Sequence, residues 1–251
     1  MLAIIGGTGF SGIQGFKEVG FKRIATPFTK NRVIIELYSN NSTTVAFLPR
    51  HGKQHSIPPH KINYRANIWA LHAIGVKSMI AINAVGGINP KALPEAFILP
   101  HQIIDYSYGR NTTFFEDDLD HVTHIDFTFP FAEELRLKLR EAFHLCNQNS
   151  ATKKVLLDYG VYGCTQGPRL ETAAEIGRLS QDGCDIVGMT AMPEAALARE
   201  LKLNYAMIAL CVNWAAGVKD EKLDMDKINH IAQNGMGFAS QMVSEFISLN
   251  S

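Results

Sequence analysis

Side chains that can bind an anion recur where the apolar, strand-like runs of this sequence end. The amides of a glycine turn and hydroxyl groups donate hydrogen bonds to an anion, and an arginine presents a planar fork that fits two phosphate oxygens. Small residues at the end of a further run let a ligand approach the main chain. The sequence therefore predicts a phosphate site assembled from several strand ends, formed by Thr8, Arg50, His51, Asn83, Ala84 and Thr190.

The glycine turn admits a second interpretation. Residues Gly7 to Gly12 satisfy the pattern G-x-G-x-x-G, which also opens dinucleotide-binding folds. Such a fold needs a helix directly after the glycines, and the next segment, GIQGFKEVGFKRI, is broken by glycines and is a weak helix former. A short-chain dehydrogenase also needs Tyr-x-x-x-Lys, which this sequence lacks. An NAD(P)-dependent oxidoreductase and a non-catalytic nucleotide-binding protein stay open as less favoured alternatives.

Three histidines lie close together near the predicted phosphate site, at His51, His55 and His60. They do not predict a metal centre, because Pro58 and Pro59 prevent a helix that would align them and no acidic residue lies nearby. For His55 and His60 we expect structural hydrogen bonds. The three histidines therefore predict no metal ion.

The pattern of apolar residues indicates the fold class. Strand-like runs are LAIIG, RVIIELY, TTVAFLP, SMIAINA, DYGVYGCT, CDIVGM and YAMIALCV. Helical periodicity is present in NYRANIWALHAIG, FAEELRLKLREAFHL, ETAAEIGRLSQDG, PEAALARELK and INHIAQNGMGFASQMVSEFISL. The two kinds of segment largely alternate after residue 75, which favours parallel strands covered by helices. We expect one α/β domain over residues 1–251, with a mixed, largely parallel sheet flanked by helices and ligands bound beyond the strand ends.

Composition excludes several classes of protein. The 251 residues carry a formal net charge of zero, which gives no electrostatic footprint for nucleic acid or an anionic membrane. No apolar run reaches the roughly 18 residues that a membrane span needs, and MLAIIGG lacks the basic start of a signal peptide. We expect buried free thiols at Cys146, Cys164, Cys184 and Cys211. These features predict a cytoplasmic protein that acts on small molecules.

The order of several longer motifs resembles that of a known family. The motifs are GGTG, RHG-x-x-H-x-IPPHK-x-NYRANIWAL, NAVGG, GPR-x-E-T-x-AE and VGMT-x-MPE-x-x-LARE, and they cover nearly the whole chain. They resemble the purine nucleoside phosphorylase and methylthioadenosine phosphorylase family. The resemblance implies a single α/β domain with a mixed sheet, a homotrimer without metal or cofactor, and cleavage of a nucleoside with inorganic phosphate as co-substrate.

The resemblance also assigns roles to individual positions. The six residues of the predicted phosphate site match the phosphate site of the family. Met189 matches the residue that packs against the ribose, and His124, in HIDFTFPF, resembles a histidine lent to the 5′ pocket of a neighbouring subunit. The residues expected to take part in catalysis are His51, Glu171 and Asn213.

Two departures from the methylthioadenosine branch indicate which purine is bound. That branch has Asp-x-Asp after its late strand and Ser in the GPR segment, whereas this chain has Asn213-Trp214-Ala215 and Glu171. A carboxylate accepts the N1–H of a 6-oxopurine but opposes the bare N1 of adenine, and a carboxamide pairs with O6 or N7. The pair predicts hypoxanthine or guanine rather than adenine. Leu170, Trp214 and Ala215 are expected beside the base.

Both positions also have a structural interpretation. Thr172 and Glu175 have the spacing of a capping box, so Glu171 can instead be a residue in the first turn of a helix. Asn213 can be a turn residue at a strand end.

Other residues determine which 5′ substituent of the nucleoside is preferred. With a gap of one residue in the match, Met225 stands where the 6-oxopurine branch has a histidine for the 5′-hydroxyl, and Ile228 follows. An apolar pair suits a methylthio group and leaves a hydroxyl unpaired, although both can be core residues. The sequence thus predicts phosphorolysis of 5′-methylthioinosine to hypoxanthine and methylthioribose 1-phosphate. Phosphorolysis of 5′-methylthioadenosine, or of inosine and guanosine, is the alternative.

Overall fold

The computed structural model describes every residue of the chain except 11, 41, 118, 221 and 251. The strands are β1 Leu2–Gly6, β2 Lys17–Thr26, β3 Thr29–Ser39, β4 Thr44–Pro49, β5 Ser78–Gly87, β6 Phe97–Ile98, β7 Gln102–Asp105, β8 Leu156–Leu157, β9 Val161–Cys164, β10 Ile186–Gly188 and β11 Asn204–Trp214. The α-helices are α1 Tyr64–Ala73, α2 Glu133–Asn149, α3 Ala173–Gln181, α4 Glu194–Glu200 and α5 Met225–Leu249. All seven predicted strands and all five predicted helices are present.

The strands form one mixed sheet. Its main path runs β2-β3-β4-β1-β5-β10-β9-β7, and β11 pairs with β5 along the length of that strand. β1 lies parallel to β4 and to β5, and β11 lies parallel to β5. β2, β3 and β4 form an antiparallel meander, and β10 is antiparallel to β5. The predicted fold class, a largely parallel α/β sheet, is confirmed.

Helices cover both faces of this sheet, because each helix has an apolar side that must be buried. On one face α1 and α4 pack through residues such as Ile68 and Leu197. On the other face α2 and α5 meet through Phe143 and Phe238, whose ring centroids are 5.4 Å apart. The predicted apolar stripe of α5 is buried from Ile231 onward. Of the helices within the described residues, none combines the length and apolarity needed to cross a membrane.

The segment after the glycine turn is a strand. A dinucleotide-binding fold needs a helix in this segment. The segment instead contains β2, a ten-residue strand that pairs with β3. Val19 and Phe21 favour extended backbone, and the glycines of the segment disfavour a helix. The one structural requirement of the dinucleotide alternative is therefore not met.

β5 changes its neighbour on one side partway along its length. β1 pairs with β5 as far as Ala81, and β10 pairs with the same side from Gly86 onward. Within the described residues no strand pairs with this side in between, so the main chain at Asn83 and Ala84 is open to a ligand. Ligands of α/β sheets bind at such switch points beyond the strand ends.

Candidate active site

A cavity of about 200 Å³ opens at this gap in the pairing of β5. Its walls come from the ends of β1, β4, β5, β10 and β11, from the loop before α3 and from the start of α5. The predicted site residues that border it are Thr8, Arg50, His51, Asn83, Ala84, Leu170, Glu171, Met189, Thr190, Asn213, Ala215, Met225 and Ile228. Trp214 and His124 do not border it. The chain therefore brings distant predicted residues together at one place.

Arg50 borders the cavity and is fully buried. Its Nε and Nη2 donate to the two carboxylate oxygens of Glu194, both at 2.8 Å. Nη1 donates to the carbonyl of Ile82, and Nη2 also donates to Oδ1 of Asn83, each at 3.3 Å. Four of the five guanidinium N–H groups are thus engaged within the protein. The fork expected to face phosphate faces Glu194 instead, which leaves one N–H of Nη1 for a ligand.

Glu194 is a site residue that the sequence analysis missed. It is the first residue of α4 and only 1% exposed, and its Oε1 also accepts the hydroxyl proton of Tyr205 at 2.8 Å. Burial and the nearby Glu194 charge raise the pKa of Tyr205 well above its usual value, so the phenol stays a donor. An acidic residue inside the apolar segment AMPEAALA was the available signal, because a buried carboxylate requires a partner.

His51 lies beside Arg50 with its side chain largely buried. Its Nδ1 is 2.8 Å from the carbonyl of Ile57, so Nδ1–H donates to that oxygen. Burial and the neighbouring Arg50 charge lower the pKa of His51 to about 4. The ring is therefore neutral near pH 7, and its Nε2 is an acceptor. The ring of His55 lies against it, with the centroids 4.4 Å apart and the planes tilted by 35°, and His55 Nε2 is 3.4 Å from the hydroxyl of Thr8.

The Asn83 side chain, within β5, connects Arg50 and Thr190, which lie just after the ends of β4 and β10. Its Nδ2 donates to Thr190 Oγ1 at 2.7 Å, while its Oδ1 accepts from Arg50. Because the Thr190 hydroxyl accepts this bond, its own proton is available to an anion. A Cβ at Gly7 would lie 2.2 Å from the carbonyl of Ile82, so only glycine lets the turn after β1 approach β5 this closely.

Glu171 and Asn213 also border the cavity. The hydroxyl of Thr165 donates to Glu171 Oε1 at 2.6 Å. Asn213 lies in β11 where the register with β5 shifts, and its Nδ2 donates to the carbonyl of Trp214 at 2.6 Å. The capping box expected at the start of α3 is present, with Thr172 as the N-cap. Glu171 therefore precedes the helix, and the alternative that places it in the first turn is wrong.

Met189 borders the cavity and packs against Gly167, in the loop that carries Glu171. Gly167 in that loop has a left-handed φ of +63°, and a Cβ there would lie 2.5 Å from Met189 Sδ. The absence of a side chain at residue 167 thus lets the thioether occupy this space.

Near the start of α5, the residues that border the cavity are mostly apolar and the cavity is open to solvent. Met225 begins α5 and is 55% exposed, and Ile228 and Leu223 border the cavity beside it. Asn229 borders it as well, which the sequence analysis did not anticipate. One carboxamide therefore accompanies the predicted apolar pair.

Two predicted residues lie outside the cavity. Trp214 faces an adjoining pocket, where the Lys219 ammonium sits 5.1 Å from the centroid of its ring. His124 is exposed on the segment between β7 and α2. Neither side chain reaches the cavity of its own protomer.

No group of three or more His, Cys, Asp or Glu side chains is placed to hold a metal ion in the described part of the chain. All four cysteines are free thiols, with Cys164, Cys184 and Cys211 buried and Cys146 half-buried.

Comparison with known proteins identifies the family. The family model of the phosphorylase superfamily matches residues 1–248. The chain is 48% identical to the probable S-methyl-5′-thioinosine phosphorylase of Pseudomonas syringae pv. tomato, over 98% of each protein. It is 42% identical to the 6-oxopurine nucleoside phosphorylase of Pyrococcus furiosus, over 92% of this chain and 86% of that protein.

A solved structure agrees with these relatives. Methylthioadenosine phosphorylase from Schistosoma mansoni, in complex with adenine, matches with a TM-score of 0.90 and 30% identity. The match covers 99% of this chain and 91% of that one. The family resemblance carried by the motifs is confirmed: the chain belongs to the phosphorylase superfamily and is an enzyme of the nucleoside phosphorylase type.

Proposed function

We propose that this enzyme cleaves S-methyl-5′-thioinosine with inorganic phosphate, giving hypoxanthine and 5-methylthioribose 1-phosphate. One observation carries the proposal: Glu171 and Asn213 share a single cavity with Met225 and with the anion-binding group around Arg50. The name of the Pseudomonas relative, at 48% identity, supports the same substrate.

At the phosphate end, the proposal assigns anion binding to hydrogen-bond donors. Thr8, Thr190, the main chain at Ala84 and one N–H of Arg50 border this space. His51, neutral and with Nε2 as an acceptor, suits the protonated oxygen of hydrogen phosphate. An anion held beneath C1′ stabilises the positive charge that develops on the sugar and is also the nucleophile. A phosphate oxygen then bonds to C1′ as the C1′–N9 bond breaks.

At the base end, the proposal assigns catalysis to stabilisation of the departing purine. The electron pair of the broken bond moves into the ring, so the base gains electron density at N7 and O6. Asn213 can donate a hydrogen bond to this edge, and Glu171 accepts the N1–H. Leu170, Ala215 and Met189 provide apolar contact with the base and the sugar.

The 5′ end favours a methylthio group because Met225, Ile228 and Leu223 give it an apolar wall. A 5′-hydroxyl in the same place loses its hydrogen bonds with water and gains few in return.

The proposal extends to the assembly and surroundings of the enzyme. We infer from the family resemblance a homotrimer in which His124 of one subunit completes the 5′ pocket of its neighbour; His124 is exposed and does not border its own cavity. Since an anion supplies the nucleophile, the reaction needs inorganic phosphate as co-substrate and no metal or organic cofactor. Free thiols at three buried cysteines suit a reducing, cytoplasmic location.

Phosphorolysis of four nucleosides tests the proposal: inosine, adenosine and their 5′-methylthio derivatives. We expect the highest kcat/KM for 5′-methylthioinosine, with no cleavage when phosphate is omitted and unchanged rates in EDTA. A higher kcat/KM for 5′-methylthioadenosine would contradict the assignment of Glu171 and Asn213.

A second candidate function is that of a 6-oxopurine nucleoside phosphorylase acting on inosine. It is favoured by Asn229, a carboxamide that borders the cavity near Met225 and can pair with a 5′-hydroxyl. In the same four assays this function predicts that inosine exceeds its 5′-methylthio derivative.

A further inference from the structure

Thr165 makes a contact that none of the functions assigned above explains. Its hydroxyl donates to Glu171 Oε1 at 2.6 Å, a length typical of a hydrogen bond to a charged acceptor. Thr165 does not border the active-site cavity. It borders an adjoining pocket on the other side of Glu171, and Glu171 borders both. The hydroxyl of Thr165 can therefore act on a bound nucleoside through Glu171.

Thr165 is itself held firmly in place. Its main-chain N–H donates to the carbonyl of Gly188 at 2.8 Å, which attaches the residue to the end of β10. The carbonyls of Thr165 and Gln166 accept from Arg110 Nη2 at 3.1 and 2.8 Å. Arg110 also bonds to the carbonyl of Met192, two residues beyond Thr190. The hydroxyl therefore donates from a fixed position between β9 and β10.

The hydroxyl proton has one good acceptor. Glu171 Oε1 is 2.6 Å away, whereas the alternative, the Gly188 carbonyl, is 3.3 Å away and already accepts the Thr165 amide. A threonine hydroxyl carries a single proton. Donation to Glu171 therefore uses one of the two lone pairs of Oε1 and leaves both lone pairs of Oε2 for other partners.

The adjoining pocket would otherwise compete for this carboxylate. It contains the cationic side chains of Arg169 and Arg178. Arg169 is bound through both terminal nitrogens by Glu175, at 2.8 and 2.7 Å, and Arg178 lies 3.7 Å from Asp182. Because the arginines have carboxylates of their own, the bond from Thr165 is what fixes the direction of Glu171.

We propose that Thr165 is a positioning residue for base recognition, which orients Glu171 so that Oε2 accepts N1–H of a 6-oxopurine. The proposal rests on the proposed function, in which Glu171 reads that edge of the base. It predicts that the hydroxyl sharpens the preference for hypoxanthine over adenine nucleosides. It predicts no effect on phosphate binding, because the Thr165 hydroxyl bonds to Glu171 and to the Gly188 carbonyl and to none of the residues assigned to phosphate.

Two substitutions of equal or smaller size test this role. Thr165→Val keeps the shape and removes the hydroxyl, and Thr165→Ser keeps the hydroxyl. We expect T165V to lower kcat/KM for 5′-methylthioinosine about tenfold or more, and that for 5′-methylthioadenosine less than about twofold. T165S should remain within about threefold of wild type on both, and KM for phosphate should not change in either. An equal loss on both nucleosides, or no loss on either, would overturn the proposal.

A double-mutant cycle separates positioning from a general structural effect. In a Glu171→Gln background we expect Thr165→Val to cause little further loss, because the carboxylate that it orients is gone. A full additional loss in that background would also overturn the proposal. If circular dichroism shows that T165V is not folded, Thr165→Ala replaces it in the assays on the two nucleosides and in the double-mutant cycle.

The base preference of the wild-type enzyme distinguishes failure of the proposed function from failure of the proposed role of Thr165. If it does not prefer 5′-methylthioinosine to 5′-methylthioadenosine, the proposed base specificity is wrong, and the role of Thr165 falls with it. If it shows that preference and T165V leaves the ratio unchanged, only the role of Thr165 is wrong.

Discussion

The carboxylate of Glu194 binds the guanidinium of Arg50 through two N–O contacts of 2.8 Å, and Glu194 itself does not border the cavity. Both side chains are almost completely buried. The positive charge is therefore largely balanced before any ligand enters, and the arginine is held rigid. Donors fixed in advance cost little reorganisation when an anion binds. In this site the phosphate is expected to be bound more by positioned hydrogen bonds than by a free cation.

Glu194→Gln tests this relationship. Removing one charge of a buried pair leaves Arg50 uncompensated, so we expect a loss of about 3 kcal/mol in the free energy of unfolding. The freed guanidinium also moves, and we expect KM for phosphate to rise about tenfold. Denaturant unfolding and a phosphate titration measure the two effects. Glu141→Gln, at an exposed position of α2, is the matched control and should change neither. An unchanged KM for phosphate in E194Q would contradict the positioning role of Glu194.

The same pair shows what the sequence can and cannot predict about the site. Arg50 is recognisable because it follows a strand-like run and lies in a long motif. Its partner is 144 residues away in the chain. No local pattern reveals which acceptor binds the guanidinium, because that depends on the tertiary packing of α4, which contacts α1 and β11. Direct neighbours of a ligand follow from motifs, whereas the side chains behind them follow from tertiary packing.

The fold shows a similar limit. Long apolar runs such as those of β5 and β11 and the periodic helix α5 are predicted correctly. The strands β6 and β8 are missed because they have only two residues each and are defined by their partners. β2 is missed because its side chains are mostly exposed, so it lacks the apolar signal of a buried strand.

The base preference is expected to follow residues 171 and 213. Asn213→Asp combined with Glu171→Ser removes the acceptor for N1–H and supplies an acceptor for the 6-amino group. We expect the ratio of kcat/KM for 5′-methylthioinosine to that for 5′-methylthioadenosine to fall at least about tenfold. Steady-state rates on both nucleosides measure it. An unchanged ratio in a folded double variant would show that neither side chain reads the base.

The 5′ preference is expected to follow residue 225. Met225→His places a hydrogen-bonding ring where a 5′-hydroxyl is expected, so the kcat/KM of inosine relative to its 5′-methylthio derivative should rise about tenfold. Met225→Leu keeps an apolar side chain and should preserve the wild-type ratio. If both variants behave alike, the side chain at this position does not contact the 5′ group.

The burial of His51 predicts a dependence of stability on pH. Its pKa is lowered from 6.5 to about 4 in the folded protein, mainly by burial and then by Arg50. The unfolded chain therefore binds the proton first as the pH falls. The contribution of His51 to stability is complete above pH 6.5 and is lost on acidification toward pH 4. The limiting slope is about 1.4 kcal/mol per pH unit.

Unfolding free energies of wild type and His51→Asn at pH 7 and pH 5 check this prediction. The variant should lose less stability than wild type over that interval. The pKa of His55 is also lowered by burial and by Arg50, so some loss is expected to remain in the variant. Equal losses in the two proteins would contradict the assignment.

The proposed trimer makes a prediction about a side chain that contacts no ligand in its own subunit. His124→Ala should raise KM for the nucleoside several-fold without changing KM for phosphate, because the 5′ pocket loses a neighbour's contribution. His121→Ala, exposed on the same segment, is the matched control. Light scattering should give three times the protomer mass for both variants. A KM for the nucleoside that is unchanged in H124A would argue against a shared pocket.

Gly167 and Met189 place a constraint on how this enzyme can diverge. The Cβ of any side chain at residue 167 would lie 2.5 Å from the sulfur of Met189. The conformation of the segment that leads to Glu171 and the position of Met189, the proposed sugar contact, therefore depend on each other. If this loop were replaced by that of a relative with another nucleobase preference, a different backbone path or a side chain at position 167 would displace the Met189 thioether. A change in nucleobase preference is therefore coupled to binding of the pentose. The loop that carries Glu171 and the residue at position 189 must be exchanged together.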